Sequence, residues 1–137
     1  MAETIEPYTI AATDDQLGDL RERLVRTRWP REIGDNSAWQ AGANLAYMRE
    51  LTDYWLNRYD WRAQERAMNT LPQFRTVIGG VPIHFVHVKG KGPNPTPLIL
   101  NHGWPWTFWD MRKIIGPLAD PASVGGDPRV QTVIPSR

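Results

Sequence analysis

The chain has 137 residues, 41% apolar and 23% charged, enough for one domain with a real core and too short for two ordinary ones. A formal net charge of +1, with no strongly basic window, gives no electrostatic footprint for nucleic acid or an anionic membrane surface. The absence of cysteine excludes disulfides, thiolate catalysis and cysteine-built zinc sites.

Residues 1–15, MAETIEPYTIAATDD, carry acids and no apolar h-region, and no window reaches the roughly 18–20 apolar residues of a membrane span. A soluble, cytoplasmic protein is expected. The first helix is announced by Thr13 with Gln16 three residues on, a capping-box pattern in which each side chain satisfies an orphan backbone donor. Leu17, Leu20, Leu24 and Val25 then recur on one face, and Pro30 is expected to end the helix. A polar, Gly-containing stretch from Arg31 to Gly42 follows, with Trp39 as its candidate anchor. Leu45, Met48, Leu51, Trp55, Leu56 and Tyr59 make a second amphipathic stripe. Asp60 can cap a third helix, WRAQERAMNTL, stopped by Pro72.

From Phe74 the pattern changes to short strands. FRTVIGGVPIHFVHV reads as two strands, Phe74–Ile78 and Pro82–Val88, joined by Gly79-Gly80, a dipeptide that accepts the positive φ angles of a tight hairpin. A turn rich in Gly, Pro and Asn leads to LILN, Leu98–Asn101, an apolar run expected to be a strand buried on both faces. A helix is predicted from about Thr107 to Leu118, with Phe108, Met111, Ile114, Ile115 and Leu118 inward. VQTVI is another buried strand, ended by Pro135. The expected division is therefore a helical meander over 1–73 and the first half of an α/β core over 74–137. Its last two strands, linked by a crossover helix, should lie parallel.

Between LILN and that helix stands HGWPW, His102 to Trp106. One reading is purely structural: a Gly-Trp-Pro turn ends a strand, and Trp104, Trp106 and Trp109 pack as core or lid. The functional reading rests on position, just past the C-terminal end of a buried parallel strand, where open α/β sheets place their ligands. Gly103 lets the backbone approach a ligand and Pro105 locks the turn. A rigid backbone N–H there can face developing negative charge. In α/β-hydrolases one oxyanion-hole donor comes from the loop between the third strand and the first helix. Counting strands puts His102–Trp106 in that loop.

HGWP after an apolar strand also resembles the HGxP motif of α/β-hydrolase-fold epoxide hydrolases. WLNRYDWRAQERAMNTLPQFRTVIGGVPIHFVHV is similar to the N-terminal region of their microsomal and juvenile-hormone types. The likeness runs from about Pro7 to the end. It implies an α/β fold: the N-terminal helical meander plus the first strands of an α/β-hydrolase fold (hairpin, then strand–helix–strand), incomplete in this chain. It also implies epoxide opening to a vicinal diol through an alkyl-enzyme ester, with no cofactor and no metal. Carried onto this sequence, the oxyanion donor is the backbone N–H of Trp104, held by His102, Gly103 and Pro105. Trp106 stands where the family usually has a small residue, and is a candidate substrate-binding residue that narrows the pocket.

The resemblance places the nucleophilic Asp, two lid tyrosines and the His–acid pair beyond Arg137. The chain alone is thus expected to be inactive and to need the remaining C-terminal part of the enzyme as partner, with a small-molecule epoxide as substrate. His84 and His87 sit three apart on a strand and face opposite sides, which disfavours a shared metal. Ser37, Ser123 and Ser136 lie in no G-x-S-x-G context. Two alternatives stay open: another α/β-hydrolase, such as a haloalkane dehalogenase or esterase, and a non-catalytic module retaining half of the fold.

Overall fold

The computed structural model describes residues 4–91, 95–126 and 130–136, the last run by its backbone. The chain divides into two compact units, one spanning Ala11–Ala63 and the other formed by the residues before and after it.

The first unit is helical. Helix α1, Asp14–Val25, starts on the expected capping box: Gln16 N–H donates to Thr13 Oγ1 at 3.2 Å, and Thr13 N–H to Gln16 Oε1 at 2.9 Å. It stops five residues short of Pro30. Thr27 ends it by placing its hydroxyl 2.8 Å from the Leu24 carbonyl, a side-chain bond that competes with the helix. Leu17, Leu20 and Leu24 are half-buried, whereas Val25, in the last helical position, is 69% exposed. Helix α2, Leu45–Asn57, is capped by Asn44. Its inward row is Leu45, Met48, Thr52 and Leu56; Leu51, Trp55 and Tyr59 of the expected stripe are exposed. The loop between them is organised by Asn36, buried, whose side chain donates to the Gly42 carbonyl and accepts from Ala41 N–H. Asp60 caps α3, Trp61–Met68, through Ala63 N–H at 2.9 Å.

The second unit is a five-stranded sheet in the order β1-β2-β3-β5-β4. Strands β2, Gln73–Ile78, and β3, Val81–Val88, form the expected hairpin with Ile78 opposite Val81. Gly79 and Gly80 both have positive φ, +56° and +83°, which suits a two-residue hairpin turn and which other residues adopt at a cost. The short edge strand β1, Glu6–Tyr8, pairs antiparallel with β2. Three residues around a proline carry no usable period, so the sequence pattern missed it.

Strand β4 spans Thr96–Ile99, two residues upstream of the expected run. It is not buried on both faces, since Ile99 is 64% exposed. Among the described residues it pairs only with β5 and forms the sheet edge, so Pro97, opposite Gln131, stands on a strand with a ladder on one side. Strand β5, Val130–Ser136, lies parallel to β4 as expected, and antiparallel to β3. It continues through Pro135, which lies opposite Phe85 of β3 and past the stretch Val130–Val133 that pairs with β4. Between β4 and β5 a 3₁₀ turn, Phe108–Met111, runs into α4, Arg112–Ala119. Val86, Phe108, Ile115, Ala119, Met68 and Pro121 are the buried apolar side chains among the described residues, while Ile114 stays 42% exposed. Among those residues no helix is long and apolar enough to cross a membrane.

Candidate active site

The segment from His102 to Thr107 joins β4 to the helical crossover, and its hydrogen bonds are made locally. Trp106 N–H donates to the Gly103 carbonyl at 2.8 Å, closing a four-residue turn whose Trp104–Pro105 peptide is cis. His102 Nδ1 lies 3.3 Å from the same carbonyl. A carbonyl oxygen only accepts, so the ring donates from Nδ1–H.

Downstream, Thr107 and Asp110 form a capping box. Thr107 N–H donates to Asp110 Oδ2 at 2.9 Å, and Trp109 N–H to Thr107 Oγ1 at 3.2 Å. Arg112 closes the end, donating to the Trp109 carbonyl at 3.1 Å with its guanidinium 5.4 Å from the Trp109 ring centroid.

From Trp104 to Thr107 these contacts leave one amide without an acceptor. Pro105 has no N–H, and those of Trp106 and Thr107 are used. Trp104 N–H has no acceptor among the described residues. It shares a planar peptide with the Gly103 carbonyl, and in a trans peptide the two point in opposite directions. Holding that oxygen from two sides therefore aims the Trp104 N–H the other way. Gly103 has no described atom within 4 Å of where a Cβ would stand, so open space surrounds the backbone here. Against the other described residues the indoles of Trp104 and Trp106 do not pack inward: they are 94% and 62% exposed. Trp109 is half-buried, its ring 6.3 Å from that of Phe108.

Beneath the turn lies a polar network that sequence spacing did not flag. His84 Nε2 and Gln73 Oε1 are 2.9 Å apart. Gln73, buried on β2, donates from Nε2 to the Met68 carbonyl at 3.0 Å and to Asn69 Oδ1 at 3.1 Å. Asn69 in turn takes both backbone groups of Ile10, which anchors the chain beside β1. Tyr8 and Phe108 stand edge-on to the His84 ring at 5.1 and 5.2 Å. Burial holds the His84 imidazole below its ordinary pKa of 6.5, because the charged form loses water. His87 faces Phe74 at 6.4 Å, on the other side of the sheet. The sequence signal available for part of this was Thr107-x-x-Asp110; the Gln73–His84 bond depends on strand register, which no local pattern encodes.

Comparison with known proteins gives a consistent result. Residues 5–111 match the family described as the epoxide hydrolase N terminus. Epoxide hydrolase 1 of Oryctolagus cuniculus is 38% identical over 127 residues, covering 90% of this chain and 28% of the relative. Juvenile hormone epoxide hydrolase 2 of Ctenocephalides felis is 34% identical over 121 residues, covering 86% and 26%. The solved structure of Aspergillus niger epoxide hydrolase superposes with a TM-score of 0.84 at 26% identity, over 97% of this chain and 35% of that one. The chain thus spans just over a quarter of the length of the curated relatives it matches.

Proposed function

The chain belongs to the epoxide hydrolase N-terminal family, and from that premise we propose that it supplies the oxyanion-hole turn of an enzyme converting epoxides to vicinal diols. The observation that carries this reading is the Trp104 N–H, left without an acceptor and aimed by a peptide whose oxygen is held twice.

In the reaction, a carboxylate oxygen attacks an epoxide carbon and the C–O bond breaks. The epoxide oxygen takes a proton, and an ester links substrate to enzyme. Water, losing a proton to a general base, then adds to the ester carbonyl. The tetrahedral oxyanion collapses, releasing the diol and restoring the carboxylate. The Trp104 N–H serves this second step, where charge develops on the carbonyl oxygen. A backbone donor suits the task because it needs no reorganisation as the charge forms. His102, Gly103 and Pro105 hold it in place. The nucleophile, lid tyrosines and His–acid pair come from the remaining C-terminal part of the enzyme, so these 137 residues alone turn over no epoxide. Trp106, exposed beside the donor, narrows the entrance and shifts substrate choice.

The test is diol formation from styrene oxide by the enzyme that contains this segment. Under this reading Pro105→Ala accumulates the alkyl-enzyme ester, detectable by mass, because only the second step loses its donor. Unchanged ester hydrolysis with impaired ester formation would sink it.

A further inference from the structure

Resting on the reading of the turn as an oxyanion-hole loop, the geometry points to His84 as a positioning residue that holds the turn's downstream foot through Phe108. Phe108 follows the turn by two residues, opens the 3₁₀ segment and is only 7% exposed. Its ring meets the His84 ring at 5.2 Å with an interplanar angle of 62°, edge to face. Wherever Phe108 sits, Thr107 must follow, and Thr107 is locked to Asp110 by the capping box.

The His84 ring is itself unable to swing. Gln73 gives both its Nε2 bonds to Met68 and Asn69, so its oxygen is the group turned toward His84, and the imidazole donates to it. Tyr8 closes the other side at 5.1 Å. A chain of fixed groups therefore runs from Ile10 through Asn69, Gln73 and His84 to Phe108. A buried, satisfied network of this kind rigidifies what it touches. His87, three residues along the same strand, contacts Phe74 on the opposite face and serves as the internal control.

Backbone amide NMR on the enzyme that contains this segment tests this without substrate. His84→Asn keeps an amide donor for Gln73 and removes the ring; His84→Phe keeps a ring for Phe108 and removes the donor. Displaced Trp104, Trp106 and Thr107 amide signals are expected in His84→Asn, with restoration toward wild type in His84→Phe and no displacement in His87→Asn. Phe108→Leu should reproduce the His84→Asn pattern, and it decides the question if His84→Asn does not fold. Turn signals that stay in place in Phe108→Leu overturn the proposal. So do shifts of equal size in His84→Asn and His84→Phe spread over β2 and β3, the signature of a merely structural residue. Should the oxyanion reading fail instead, Pro105→Ala would leave ester hydrolysis intact while this shift pattern persisted.

Discussion

The helical unit and the turn after β4 use their backbone groups in opposite ways. In Ala11–Ala63 the helix starts are capped by neighbouring side chains, Thr13, Asn44 and Asp60, each satisfying an amide of the first turn that follows it. In the turn the caps and carbonyl contacts satisfy all amides but one from Trp104 to Thr107, and that one is directed outward by the rest. Capping in the first region stabilises; in the second, under the proposed function, it selects a donor. Single substitutions should therefore affect stability in one region and turnover in the other.

The sharpest contrast lies within the turn. Pro105→Ala relaxes the Gly103–Trp106 turn and misdirects the donor, with an expected loss of roughly 10²–10³ in kcat for diol formation, the usual effect of losing one oxyanion donor. Trp104→Ala keeps the N–H, and because the indole is 94% exposed it should leave kcat within a few-fold. Equal losses in both variants would mean that the indole, and not the peptide, does the work.

Asp60→Ala breaks the comparison from the other side. Asp60 accepts from Ala63 N–H at the start of α3, so its removal should cost at least about 1 kcal/mol of stability in denaturant unfolding with kcat unchanged. Gly103→Ala should cost less than about 0.5 kcal/mol, since its φ is not positive and open space receives the methyl group. Under the proposed function its kcat/KM should nonetheless fall, because the methyl group enters the space across which the turn's backbone approaches the substrate. A stability loss larger than that of Asp60→Ala would show that Gly103 is there for packing.

Much of this contrast was legible before the structure. Thr13-x-x-Gln16, Asp60 before an apolar stripe and Gly79-Gly80 between alternating runs are local signals whose chemistry acts within a few residues. The place of HGWPW after a strand was legible for the same reason. Strand edges were not. LILN looked buried on both faces because an apolar run says nothing about what covers it, and in this chain β4 has one neighbour. The register that sets Gln73 beside His84, and the turn geometry that leaves Trp104 N–H as donor, arise from pairings distant in sequence or from peptide orientation. Neither leaves a periodic trace.

The smallest expected effect concerns the network that joins sheet and turn. Burial keeps the His84 imidazole below its ordinary 6.5, so the folded state resists a proton that the unfolded chain accepts. The stability this represents is present above pH 6.5 and is lost as pH falls through the lower folded value. Among the groups facing the ring are Tyr8, Gln73 and Phe108, with Arg75, paired to Glu6 at 3.0 Å, as cross-strand partner. Desolvation outweighs what these neighbours offer the imidazolium, so acidification works against the folded state. Urea unfolding at pH 7.5 and pH 5.5 should show wild type losing more stability than His84→Phe, which cannot titrate. His87 and His102 remain in both chains and cancel. Parallel losses would mean that the ring takes its proton without strain, and that the link from sheet to turn is indifferent to the charge on His84.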